Sequence, residues 1–280
     1  MNELEAQQFE HAYQKHDAGR SAEALQEIRE LILNITDPAD QAGLLYHEIL
    51  WLIGLGDTST ARERLGEMRR LVTSMVVSHS DSNQSDLSVS LGLMSLFAEA
   101  KVLLGENDEI KALAVLDTLI SAYPQQLSLP NFGEIRAEVQ VVRGFLLADR
   151  ERWEEAKASL ESVIPLEEQR SLAAYYLGHC YFMLGDYSMA RVKLTEALRS
   201  GLSQKWECRA HYVLGLTNYR SNQMRAAKEE FELCVRTADP EYLGTTRIWE
   251  WLEATCRALG FSEEAANYRL RASSPNSRPN

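Results

Sequence analysis

Apolar positions between Ser171 and about Leu202 return at the period of an α-helix, stop, and begin again. Ala174, Leu177, Gly178 and Tyr181 make one stripe; after Gly185-Asp186-Tyr187, Ala190, Leu194 and Ala197 make a second. A break this short predicts two antiparallel helices, with Gly178 and Ala190 where the axes come closest. The same interval of twelve residues from a small residue to an alanine recurs at Ala12 and Ala24, Ala100 and Ala112, Gly144 and Ala156, and Gly215 and Ala227. A turn glycine five residues before an alanine marks further pairs at Gly56 and Ala61 and at Gly260 and Ala265, and repeats the signal at Gly19 and Ala24. Seven helix pairs are therefore predicted, stacked as similar units rather than folded around one globular core.

The residues of the central pair, Leu177, Gly178, Tyr181, Gly185, Tyr187, Ala190 and Ala197, resemble the tetratricopeptide repeat (TPR), with Leu194 in place of the usual aromatic. The next pair keeps Leu214, Gly215, Ala227 and Phe231, with Asn218 where tyrosine is expected. The previous one keeps Gly144, Trp153, Ala156 and Leu160, and lies 34 residues from its successor, the family's period. In the third pair Ala112, Leu116, Leu119 and Pro124 fit, with a turn after Gly105 that reads two residues longer. Glu48, and Glu253 or Ala254, stand where small residues are expected. The resemblance implies an all-α fold, a right-handed α-solenoid of about seven antiparallel pairs. Residues 1–77 hold repeats 1–2, 78–90 a polar serine-rich insertion read as a loop or frayed helix end, and 91–272 repeats 3–7, strongest over 137–236; residues 273–280 form a disordered tail. A second insertion, Tyr123 to Gly133, carries two prolines and opens the stack.

Composition supports the helical reading and narrows the function. Only 7 prolines and 15 glycines occur in 280 residues, and 45% of the chain is hydrophobic. The 41 acidic and 29 basic residues leave a net charge of −12, which opposes general nucleic-acid binding. The start of the chain, MNELEAQQFEHAYQ, shows neither a secretory signal nor a transit peptide. The stretch Gly43 to Gly56, read as the longest apolar run, is interrupted by His47 and Glu48 and too short to span a membrane. Cys180, Cys208, Cys234 and Cys256 lie far apart inside helical patterns, as small buried fillers do in a reducing compartment, so a cytoplasmic protein is expected.

No catalytic constellation is legible. His47-Glu48 begins like a zinc-protease motif, but Trp51 occupies the second histidine's place. His179 and Cys180 are helix neighbours about 100° apart, poorly placed to share a proton. No enzyme activity, cofactor or metal is expected. What remains is surface: in the helix from Ser171, Leu172, Tyr175, His179, Phe182 and Met183 form a second apolar stripe, which either packs on neighbouring units or faces a ligand.

Followed through the repeat register, this stripe becomes a lane of Phe9, Tyr13, Tyr46, Phe97, Lys101, Phe145, Tyr175, His179, Phe182, Tyr212 and Tyr219, joined by Arg209, Arg220, Arg247 and Arg257. The TPR resemblance implies that the lane lines a concave groove for an extended peptide or a helix of a partner protein. Arginine beside aromatic rings suits a carboxylate-bearing segment, although these arginines also fit a solvated face balancing acidic neighbours. The lysine and asparagine of the TPR clamp for chaperone C-termini are missing, since Phe9 and Tyr13, or Tyr46 and Leu50, stand in their places. An interaction scaffold or adaptor is the expectation. Two alternatives stay open: a self-assembling subunit with Trp249 and Trp251 at its edge, and a sensor of a small ligand or signalling peptide.

Overall fold

The computed structural model describes residues 1–78, 82–163, 165–239, 242–243 and 247–273. Among them there are helices and no strand. Seven antiparallel pairs follow one another: α1 (Glu3–Asp17) with α2 (Ser21–Asn34), α3 (Pro38–Gly54) with α4 (Thr58–Ser78), α5 (Ser82–Gly105) with α6 (Glu109–Ala122), and, after a short α7 (Pro124–Leu127), α8 (Gly133–Ala148) with α9 (Trp153–Glu161). The remaining three are α10 (Arg170–Met183) with α11 (Tyr187–Arg199), α12 (Gln204–Arg220) with α13 (Met224–Thr237), and α14 (Ile248–Ala258) with α15 (Ser262–Ala272). The all-α, solenoid-like succession of pairs expected from the spacing is what the structure contains. The chain divides into two compact units, Met1–Val139 and Gln140–Asn280. Within the first, α3 packs on α2, α4 and α5; within the second, α10 packs on α9, α11 and α12.

One turn serves all seven pairs. The residue five positions before each packing alanine has left-handed backbone: Gly19, Gly56, Gly185 and Gly260 at φ +77° to +85°, and Asn107, Glu151 and Asn222 at φ +59° to +60°. At Gly185 its N–H donates to the Phe182 carbonyl at 3.1 Å and the next N–H, of Asp186, to that of Tyr181 at 2.9 Å, the helix-ending pair that favours glycine. Asp186 then caps the following helix by accepting the Met189 N–H, as Asp108 does for Lys111 and Asp57 for Thr60. The third turn is thus no longer than the others: Asn107 takes the left-handed position, because asparagine tolerates it, and the break lies after Gly105 rather than at it.

The close approach behind the sequence interval is now visible. A Cβ added to Gly178 would lie 2.8 Å from Leu194 Cγ and 3.0 Å from the Leu194 backbone nitrogen. At Gly144 it would lie 2.6 Å from Leu160 Cγ, and at Gly215 2.6 Å from Phe231 Cδ1. The small residue therefore makes room for a large one a helical turn beyond the alanine. Ile28, Leu65, Leu116, Leu160, Leu194 and Phe231 form this buried series. Counted from Ala61, the small-residue position of the second pair is Ile49, not Glu48. Glu48 is the adjacent residue and is fully buried, bound by Arg29 Nε at 2.6 Å and Arg64 Nε at 3.2 Å, which ties α3 to α2 and α4. Glu253 occupies its predicted place in the last pair and accepts from Arg269 at 2.9 Å.

The picture sharpens in three places. Of the two readings of the serine-rich insertion, loop or helix end, residues 82–90 follow the second as the first turns of α5, while 79–81 fall outside the described residues. The segment after Tyr123 folds into α7 and a 3-10 turn, Pro130–Phe132, which bury Leu127 and Phe132. The most apolar long stretch is Leu87–Gly105, with a mean hydropathy of 1.6, and not Gly43 to Gly56. By length and composition it could cross a membrane, yet its Leu91, Leu93, Phe97 and Val102 are core residues of a helix packed on α3, α4 and α6. The expected disordered tail, apart from Ser273, lies outside the described residues.

Two stability outcomes follow from this geometry. Gly178→Ala should lower the unfolding free energy by about 1–3 kcal/mol, overpacking outweighing the ~1 kcal/mol gained in helix propensity. Gly66→Ala, in α4 with nothing within 4 Å of an added Cβ, should instead raise it. Urea denaturation of the two variants checks this, and a shared sign would contradict the packing described. Glu151→Asn, at φ +59°, should raise the thermal midpoint through relief of about 1 kcal/mol or less of left-handed strain. A lower midpoint would mean that Glu151 is held there by something other than the turn.

Candidate functional site

In the N-terminal unit the predicted lane is part core and part surface. Tyr46 and Phe97 are buried, at 6% and 1% exposure, because α3 and α5 are packed on each other and on their flanking helices. Neither ring can meet a partner without opening the unit, which corrects their assignment as groove residues. Phe9 is half-buried and Tyr13 exposed; both lean on α3, with Phe9 5.0 Å from His47 and Tyr13 6.2 Å from Trp51. His16 stacks on Trp51 at 4.6 Å. Lys101 is tied to Glu138.

In the C-terminal unit the lane divides. Tyr175 is buried at 5% exposure, so it too supports rather than contacts. Phe145 is half-buried and stacks on Tyr176 at 4.4 Å, and the Tyr176 hydroxyl donates to Asp149 at 3.3 Å. Trp206 lies 5.3 Å from Tyr175 and 5.6 Å from Tyr176. Arg209 covers Trp206 at 4.9 Å and Tyr242 at 5.7 Å. Tyr212 meets Tyr242 and Phe231, and Tyr219 meets Trp251 edge-on at 5.2 Å. His179 packs against Trp153 at 5.1 Å and Phe182 against Tyr187 at 5.9 Å. Phe145, His179, Phe182, Tyr212, Tyr219 and Arg209 are all half-buried, each with one side supported by its neighbours.

The other arginines do not gather here as a group. Arg247 pairs with Glu250 and Arg257 with Glu253, whereas Arg220 is exposed and makes no ion pair among the described residues. Three ring residues escaped the sequence reading. Trp206 could have been found, since it lies one turn before Arg209 on the same helix face. Tyr176 was hidden beside Tyr175 in a helix apolar on most sides, and Tyr242 lies between helix pairs, where no period announces it.

No family model matches the sequence, and no curated protein matches it. Solved structures do. PilF from Pseudomonas aeruginosa is 16% identical over 86% of this chain and 97% of its own, with a TM-score of 0.56. PilW, described as a widely conserved type IV pilus biogenesis factor, is 15% identical over 84% and 96%, with a TM-score of 0.53. The C-terminal part of a TPR repeat-containing protein from Cytophaga hutchinsonii is 12% identical over 96% and 97%, also at 0.53. The fold is TPR-like. Identities this low carry the TPR-like architecture and leave the chemistry to the residues themselves.

Among the described residues no three histidine, cysteine or acidic side chains are grouped to hold a metal. The four cysteines are free and buried, and burial pushes the Cys180 and Cys234 thiols up to about 12, which keeps them protonated and poor nucleophiles. A separate cleft of about 520 Å³ opens beside α9, α10 and α11, with Leu160, Leu177 and Met189 among its apolar walls and Glu161, Arg170 and Lys193 among its charges.

Burial pulls both His47 and His179 from 6.5 down to about 4, His47 with a smaller push from His16. Each is neutral in the native state and protonates more readily when unfolded, so stability is full above 6.5 and falls as pH drops toward 4. Denaturant titrations across that interval should show the slope, and His179→Phe should flatten it. An unchanged slope in that variant would remove His179 from the linkage.

Proposed function

We propose that this protein is a non-catalytic interaction scaffold or adaptor whose C-terminal unit receives a peptide or helix of a partner protein on the aromatic face of α8, α10 and α12. TPR-like neighbours support a protein-interaction scaffold in general; the narrower reading rests on this chain's side chains. The observation that carries it is the run of half-buried rings, Phe145, Phe182, Tyr212 and Tyr219, each in contact with another ring. Rings held in this way lose little freedom on binding, and they offer apolar area with a polar edge. The helices that carry them are locked by close glycine contacts, so the face is formed before a partner arrives.

A carboxylate-bearing segment suits the face best, because Arg209 brings a guanidinium among the rings. Four free, buried cysteines fit a reducing compartment, and we place the protein in the cytoplasm on that basis. Self-assembly through Trp249 and Trp251 has less to support it, since Trp249 stacks on Tyr268 and carries Arg271, while Trp251 is taken by Tyr219.

The test is partner capture from native extract by wild type and by Phe182→Ala combined with Tyr219→Ala, with helical circular dichroism and the thermal midpoint as folding controls. The specific partners should be lost from the folded double variant. Their retention would place the binding surface elsewhere, and concentration-dependent light scattering by wild type would favour self-assembly instead.

A further inference from the structure

Arg209 and Trp206 share a face of α12, and Tyr242 comes to them from the chain beyond α13. Tyr242 itself packs on the buried cluster of Cys208, Phe231, Cys234, Ile248 and Leu252, so its ring is part of the unit's core edge. Arg209 is half-buried between core and solvent, and its Nε is closed off from water without a hydrogen-bond partner. No carboxylate among the described residues pairs with it, in a chain that carries 41 acidic residues against 29 basic ones. Asp239 accepts the Tyr242 backbone N–H at 2.7 Å, and Asp149 accepts the Tyr176 hydroxyl. Arg247 and Arg257, by contrast, each hold a glutamate on their own helix.

An unpaired cation braced by two aromatic rings, one of its donors buried and unused, lacks an acceptor. The rings attract the cation through their faces and keep water from its inner side, so a carboxylate arriving on the open side meets a partly desolvated guanidinium, where an ionic hydrogen bond is stronger. A guanidinium presents its N–H donors in one plane, matching the two oxygens of a carboxylate. We infer that Arg209, Trp206 and Tyr242 form a subsite for a single carboxylate carried by the bound peptide, whose apolar stem lies along the rings. Lys205 also lies over the Trp206 ring, 5.9 Å from its centroid, so phosphate is the competing anion against which the carboxylate is compared. The subsite deepens the scaffold reading and rests on it for the claim that a peptide carries the carboxylate.

Proton–nitrogen correlation spectra of the full chain test it by following the Arg209 Nε–H resonance, assigned by its loss in Arg209→Lys. The probes are N-acetylglutamate N-methylamide for a side-chain carboxylate, N-acetylalanine for a chain terminus, inorganic phosphate, and sodium chloride at matched ionic strength. One of the two carboxylates should shift the resonance saturably, chloride should not, and the stronger binder names the source. Followed through neighbouring amides, that probe should bind Arg209→Lys about tenfold or more weakly. Arg209→Gln serves the same purpose if the lysine variant misfolds. A resonance unmoved by both carboxylates, a shift matched by chloride, or a tighter response to phosphate would overturn the subsite. Lost partner capture in the Phe182 and Tyr219 variant with a silent Arg209 would sink the subsite and keep the scaffold; a responsive Arg209 with undisturbed capture would do the reverse.

Discussion

Three successive helix pairs are held by a void on one helix and a side chain that fills it on the other. Gly178 has no Cβ, and Leu194 occupies the space where one would be; Gly144 with Leu160 and Gly215 with Phe231 repeat the arrangement. Dispersion falls off steeply with distance, so two helices gain most where backbone meets side chain directly. Fixing that contact also fixes the rotation of each first helix about its axis. The left-handed turn does the same for the connection, because only one chain path leaves the first helix, reverses and caps the second within so few residues.

With the rotation set, the fate of every other first-helix position follows from how many neighbours surround it. In the N-terminal unit α3 touches α2, α4 and α5, and even a glutamate is enclosed: Glu48 survives burial because guanidiniums from α2 and α4 reach it from a wetter margin. In the C-terminal unit Phe145, Phe182, Tyr212 and Tyr219, on α8, α10 and α12, stay half-buried. Rings there are covered on one side and open on the other, and Arg209 stands among them with a desolvated donor and no counter-charge. The aromatic packing that stabilises the helices thus leaves a surface on which the Arg209 charge is unspent.

Much of this was legible along the chain because it is local. The twelve-residue interval and the turn five residues before the alanine both depend on residues close in sequence. The helix pairs are therefore written in periodicity alone, including the pairs whose turns use Asn107, Glu151 or Asn222 instead of glycine. The lane of site residues was only half legible. A helical stripe names the residues that leave a helix on one side, but it does not say whether a second helix waits there.

That distinction separates Phe182 and Tyr219, which keep an open side, from Tyr46, Phe97 and Tyr175, which do not. It also hid Tyr242, whose place beside Arg209 comes from a connection with no period of its own. The sequence by itself determined the helices, their pairing and the turn that joins them, since each is set by steric demands acting within a few dozen residues. Only the tertiary structure decided which aromatic rings are core, which arginines are paired and which of them meets the rings, because burial and charge pairing are properties of neighbours brought together from different repeats.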